Sequence, residues 1–536
     1  MRAGVPLGAA RVWVATFVLV SALGTTWALT NPVLANPDEP SHTTKAAALV
    51  RGQVLPPKRQ LPDLGPDSLI RGAFTTDVRV PNSYGRQTID GPWCYIWDSR
   101  VAASCAPAFV DDPTIVDWEA YIGRYPPTYY AVVGWPSLVD TSAKSIYAMR
   151  VVSAALNAAL IATAFALTRR LTRLRVVPLA LLVGMTPQVV QLAGSVNPNG
   201  LEVSAGICAW VALGAAVLSR RRQLSNPVLA GVAVSCSLLA LTRPLSTLWL
   251  AVIGLSVLLV LAEPRMILRR LGERGVRTVI AIVGTATLLG VIWTIFSDNL
   301  GNNRGYNPWG LGMVDAVRHS LALSWSYLQQ GVAVYGWDRN PSPAPLTWAW
   351  GLALALVVGP ALARADRRRR IGIVAVTAFV FLVPTILQAR TARAIGFVWS
   401  GRYGLALFAG ISILACIVLG SSGALPRRAL AWAAAITAAG HVVAHAAAMR
   451  RWSVGTDGPL NYLSDPSWHP PVPAGLLLAG VAGAAAALSL LAYRLATEPA
   501  GADGAEPDEL DDHGEEHGER PGPAPGDEPE RLLPAT

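Results

Sequence analysis

Apolar segments long enough to cross a bilayer recur along most of this chain, and that recurrence restricts the fold more than any single motif does. A hydrocarbon core about 30 Å thick requires roughly 20 apolar helical residues, and a window of about that length finds about twelve such stretches. They lie near 12–30, 146–168, 176–193, 201–218, 227–242, 245–262, 278–297, 346–363, 371–388, 403–420, 429–449 and 473–493. With 52% hydrophobic residues and a mean hydropathy of +0.39, the chain reads as an all-α polytopic membrane protein. The first stretch is long enough to span and no clear Ala-x-Ala pattern follows it. It therefore reads as a retained helix, not a removed signal.

Basic residues mark every second connection: Arg169 to Arg175, Arg220 to Arg222, Arg265 to Arg277, Arg364 to Arg370, and Arg427 with Arg428. Short cytoplasmic loops are enriched in Lys and Arg, so both termini are expected inside and the intervening loops outside. The expected organisation is a transmembrane domain over 1–496, with a large first outside loop at 31–145 and a second at 298–345. An acidic, Pro- and Gly-rich cytoplasmic tail over 497–536 is expected to be disordered. From Glu498 onward there are 13 acidic residues and two Arg, which leaves 42 basic against 21 acidic residues in the membrane body. Topology and anionic inner-leaflet lipid account for that surplus, so nucleic acid is not an expected partner. Sparse Lys beside abundant Arg, Ala and Gly fits a high-GC bacterial genome, such as an actinobacterial one, and a plasma-membrane location.

Cys208, Cys236 and Cys416 fall inside spans as packing residues, whereas Cys94 and Cys105 share the first outside loop, as a disulfide or as two free thiols. That loop is rich in Trp, Tyr and Pro and is expected to be ordered at the membrane surface.

The stretch "NPDEPSHTTKAAALVRGQVLP" starts at Asn36, just past the first span. Pro40 is a natural first helical residue, and Ser41 to Arg51 with Gly52 reads as a short interfacial helix with a Gly stop. Asp38 and Glu39 then lie at its positive N-terminal end, with His42 in the following turn. One reading is a capped loop helix. The other is a site where two carboxylates and an imidazole deprotonate an acceptor hydroxyl or hold a divalent cation such as Mg or Mn. An anionic lipid would also need fixed positive charge, and Arg243 in "LTRPLS" with Arg390, Arg393 and Arg402 in "QARTARAIGFVWSGRYGLALF" are the candidates. For Arg402, where the tenth span enters the membrane, snorkelling to the interface is the alternative role. Few acidic residues lie within the spans, Glu202 being the main exception, which disfavours an ion-coupled transporter.

Four stretches, "NPDEPSH", "GRYPPTYYAVVGWP", "GMTPQVVQLAGSVNPNGLEVSAG" and "WSGRYGLALFAG", resemble in order and spacing the bacterial membrane family known as domain of unknown function 2142. The resemblance covers roughly residues 10–420. It implies a GT-C-type glycosyltransferase that takes a sugar from a polyprenyl-phosphate carrier and passes it, with inversion, to an envelope glycan, glycolipid or protein on the outer face. It places the family's Asp-Glu and following His on Asp38, Glu39 and His42, and its Gly-Arg-Tyr on Gly401, Arg402 and Tyr403. Asp38 is then the expected base, Glu39 and His42 support it, and Arg402, Tyr403, Arg243 and Arg393 form the expected carrier-phosphate site. The chain departs from the family pattern at Asn199, where an Asp is common, and this leaves a metal-dependent mechanism open. A flippase or exporter of lipid-linked saccharides and a non-catalytic envelope scaffold are the competing expectations.

Overall fold

A backbone within hydrocarbon must satisfy its own N–H and C=O groups, and an apolar chain of this kind does so as helices. The computed structural model describes residues 7–60, 74–171, 174–298, 312–337, 343–395, 397, 399–420 and 426–498. The expected acidic tail lies almost wholly outside them. The first helices are α1 (Ala9–Thr30), α2 (Glu39–Val50), α3 (Gln87–Asp90), α4 (Trp93–Ile96), α5 (Thr128–Val133), α6 (Pro136–Val139) and α7 (Ala143–Leu167). Next come α8 (Val177–Gly184), α9 (Pro187–Ala193), α10 (Pro198–Leu218), α11 (Asn226–Thr242), α12 (Ser246–Leu261), α13 (Pro264–Leu271) and α14 (Arg274–Ser297). The remainder are α15 (Met313–Ala322), α16 (Ser324–Val332), α17 (Ala344–Arg364), α18 (Arg367–Ile395), α19 (Leu405–Gly420), α20 (Arg427–Val454) and α21 (Ala474–Thr497).

Among the described residues, nine helices are long and apolar enough to cross a membrane: α1, α7, α10, α14 and α17 to α21. The protein is therefore an all-α polytopic membrane protein in its body. Each of the other three expected spans is also helical, but α11 and α12 are shorter, at 17 and 16 residues. The segment expected at 176–193 is two helices, because Pro187 opens α9 and the Thr186 hydroxyl accepts from the Val189 N–H at 3.4 Å. Every residue of α8 and α9 is buried, so the break is lined by protein.

The first loop is more than a surface cover. It contains an antiparallel sheet in the order β1 (Lys58–Gln60), β2 (Phe74–Pro81), β3 (Ile115–Glu119), with Lys58 opposite Thr76 and Val78 opposite Trp118. A disulfide joins Cys94 to Cys105, and the other three cysteines are free and buried.

The expected interfacial character of α2 is corrected by its burial, which is continuous from Glu39 to Leu49. The loop's own elements cover it: a Cβ on Gly134 would come within 2.5 Å of the Ala46 carbonyl. Its expected ends do form, with Pro40 in the first turn and Gly52 in the left-handed region at φ +86°.

The two ends of the bundle differ. At one, Arg270 donates to the Ser219 and Arg221 carbonyls, and Arg368 to those of Leu259 and Ala262. At the other, the sheet-bearing loop meets the start of the second large loop through Lys58 and Asp298 at 2.7 Å, and the α20–α21 connection through Thr456 N–H and the Ser99 carbonyl at 2.9 Å. The basic connections thus gather opposite α2.

Candidate functional site

The loop between α1 and α2 owes its shape to Glu39. This carboxylate, fully buried, receives Arg150 from α7 through Nε at 2.8 Å and Nη2 at 2.5 Å, and the Val196 N–H at 3.0 Å. The same guanidinium donates to the carbonyls of Ala28, Asn31 and Pro32 at 2.7–2.8 Å, and so closes the end of α1 onto the start of α2. Asn36 donates to Glu39 at 3.1 Å and accepts from Asn31 and Gln191, while Asn197 donates to the Pro37 carbonyl at 2.9 Å. A buried ion pair needs such additional bonds to offset desolvation, and removing one partner costs about 3–5 kcal/mol.

Glu39 points into this network, and its neighbour faces a different set of groups. Asp38 takes left-handed backbone angles, φ 59° and ψ 0°, which cost most L-residues energy but which Asp tolerates. Its carboxylate accepts from the Tyr121 hydroxyl at 2.7 Å and from Arg402 Nη2 at 2.5 Å. The Asp38 side chain is 25% exposed and that of Arg402 is 5% exposed. A turn of 3₁₀ helix, Gly401–Gly404, carries Arg402 and Tyr403 immediately before α19. Gly401 is required there because a Cβ would lie 2.1 Å from the Tyr327 carbonyl.

Arg243, at the turn between α11 and α12, completes the cationic wall. It binds Glu202 at 2.7 Å, and Glu202 also accepts from Ser246 at 2.6 Å. The guanidinium carbons of Arg243 and Arg402 lie 5.0 and 5.1 Å from the centre of the Tyr403 ring. His42 shares a 2.8 Å hydrogen bond with Tyr130, and its backbone N–H donates to the Asp38 carbonyl at 3.0 Å.

These contacts set the charge states. Burial opposes ionisation of Asp38, but Arg402, with the Tyr121 hydrogen bond and Arg243, holds its carboxyl below the ordinary carboxylate value. Burial pushes the His42 imidazole down to about 3 against the pull of Asp38, and Arg243 and Arg402 push the same way. Burial and the Asp38 charge raise the Tyr121 hydroxyl well above its usual value. At neutral pH the cluster therefore presents an anionic carboxylate, a neutral imidazole and a phenol that stays a donor.

Of the residues singled out from sequence, Asp38, His42, Arg243, Arg402 and Tyr403 converge here. Glu39 does not join them, because its carboxylate is spent on Arg150. Arg393 lies in α18, and its side chain is outside the described residues. Cys94 and Cys105 sit elsewhere in the loop. Asn199 is buried beside this region, its N–H on the Asn197 side chain at 3.0 Å.

A divalent cation does not suit this donor set. No group of three or more His, Cys, Asp or Glu side chains forms among the described residues, and a cation at Asp38 would face two guanidinium groups. Sequence reasoning missed Arg150, Tyr121 and Tyr130. A lone Arg inside an apolar run was a usable signal for Arg150; nothing in the pattern separated Tyr121 and Tyr130 from neighbouring aromatics.

The family model described as "Predicted membrane protein (DUF2142)" matches residues 22–411. No curated protein and no solved structure matches the chain.

Proposed function

Since the chain belongs to the DUF2142 family of predicted membrane proteins, and its Asp38 cluster joins one ionised carboxylate to two fixed cations, we propose that it is a glycosyltransferase using a polyprenyl-phosphate sugar. The observation that carries this reading is the 2.5 Å pairing of Asp38 with Arg402, beside Arg243 and at the end of a membrane bundle. Inverting transfer needs a base on the acceptor hydroxyl and positive charge where the leaving phosphate gains its electrons. Asp38 is the base. As the acceptor oxygen attacks the anomeric carbon, the bond from that carbon to the carrier phosphate breaks, its electron pair goes to the phosphate, and the hydroxyl proton goes to Asp38.

Arg402 has a part in both halves of this step. Without substrate it neutralises Asp38; an arriving phosphate competes for the guanidinium and frees a carboxylate oxygen for the acceptor. Tyr121 holds the other oxygen in place. Arg243, fixed by Glu202, adds the second charge facing the phosphate, and Tyr403 separates the two cations. His42 and Glu39 are positioning residues: one ties α2 to Tyr130, the other sets the loop through Arg150. Behind the Gly401–Gly404 turn lies a small apolar cleft of about 40 Å³ lined by Tyr327, Leu328, Val380, Phe381, Trp399 and Phe408, too small for a hydrocarbon chain, so the carrier's chain would lie in the surrounding lipid.

The basic connections lie at the opposite end of the bundle, which by the positive-inside rule supports a reading with this cluster on the extracytoplasmic face and both termini inside, in keeping with the proposed role in a bacterial plasma membrane. The acceptor there is an envelope glycan, glycolipid or protein. Purified protein in lipid, given polyprenyl-phosphate sugars and crude envelope acceptors, is expected to release polyprenyl phosphate only when both are present. Movement of intact donor across the bilayer with no release would favour a flippase instead.

A further inference from the structure

A large cleft lies at the basic end of the bundle, away from Asp38. There α12 and α18 run side by side and touch closely, since a Cβ on Gly372 would meet a Val260 methyl at 2.3 Å. Beside this contact is a cleft of about 600 Å³ lined by Val252, Leu255, Leu259, Ala375, Val376 and Phe379. That size is within the roughly 300–1,000 Å³ usual for small-molecule sites. Leu255, Leu259 and Phe379 are 57%, 62% and 44% exposed, so the cleft opens on the lipid-facing surface of the bundle.

Arg367 and Arg368, the first residues of α18, line the end of this cleft. Arg368 is fixed by donation to the carbonyls of Leu259 and Ala262, both at 2.8 Å, and so is anchored where α12 finishes. Arg367 is exposed and makes no hydrogen bond or ion pair among the described residues. The nearby carboxylate does not neutralise them: Asp366 pairs with Arg369 at 3.4 Å and accepts its N–H.

An apolar cleft ending in two guanidinium groups matches an amphiphile with an anionic head. We propose that it binds an anionic phospholipid, with the head-group phosphate on Arg367 and Arg368 and an acyl chain in the cleft. The hydrocarbon part fits any lipid, and the arginine pair supplies the choice of charge. This site does not depend on the chemistry proposed at Asp38.

The test uses delipidated full-length protein equilibrated with mixed vesicles of phosphatidylglycerol and phosphatidylcholine, followed by native mass spectrometry of the lipid retained. Wild type is expected to retain phosphatidylglycerol about tenfold in preference. Arg367→Gln, which breaks no bond within the protein, should reduce that preference, and the Arg367→Gln/Arg368→Gln pair should abolish it. Ala375→Phe should lower retention of both lipids by filling the cleft. Glycerol phosphate, with no acyl chain, should not displace the bound lipid. Equal retention of the two lipids by wild type, an unchanged preference in Arg367→Gln, or displacement by glycerol phosphate would overturn the proposal.

Discussion

Asp38 and Glu39 are adjacent carboxylates with opposite fates, and the left-handed backbone at Asp38 is where they part. Because Arg402, with its neighbours, holds Asp38 below the ordinary carboxylate value, the proposed base is ionised throughout the neutral range. Activity should therefore be present above the acid range and be lost only as pH falls through the depressed Asp38 value. Arg402→Gln removes the main stabilising charge, so the acid limb of the pH–rate profile should move upward; a limb that stays in place would remove Arg402 from this role. The same variant should weaken polyprenyl-phosphate binding by roughly 10- to 150-fold, the range for a lost charge-assisted hydrogen bond. His42 works in the other direction on stability. With its folded value depressed to about 3, it stays neutral while the unfolded chain takes up a proton below about 6.5, so folding weakens as pH falls between those limits. His42→Gln should flatten that part of the stability profile, measured by thermal unfolding across pH.

Among the elements, the α1–α2 loop and its clasp on α7 decide whether the site exists. Glu39→Gln leaves Arg150 buried with an incomplete set of partners and should destabilise by about 3–5 kcal/mol, seen as a lowered melting midpoint in detergent. The Glu39→Gln/Arg150→Met pair should recover part of that loss, since no charge is then left buried. If Glu39→Gln melted like wild type, the clasp would not be the organiser of this loop. The helices themselves were legible because apolar runs of this length have few alternatives in lipid. The start of α2 was legible too, because Pro40 and Gly52 act through local backbone geometry. What lay beyond reading was partnership: Arg402 is 364 residues from Asp38, and no periodicity links them. The sheet was hidden for the same reason, since β2 and β3 pair across the whole disulfide segment. Burial of α2 also depends on distant cover, and an Ala-rich stretch reads alike at a surface or inside.

As a whole molecule the protein is a bundle with a basic end and an opposite end that carries the Asp38 cluster. Its orientation can be read by impermeant maleimide labelling, because the three free cysteines are buried and the other two are disulfide-bonded. Leu460→Cys, at an 84% exposed position in the connection that meets the first loop, should label from outside intact cells. Gln223→Cys, exposed beside Arg222, should label only after permeabilisation, and the reverse pattern would put the site in the cytoplasm. The most direct test of the central claim is single-turnover release of polyprenyl phosphate by wild type and Asp38→Asn, with polyprenyl-phosphate binding measured on the same samples. The account predicts a loss of roughly 10²- to 10⁴-fold in rate with binding kept or tightened, because the competing anion is gone. An undiminished rate in Asp38→Asn would contradict it.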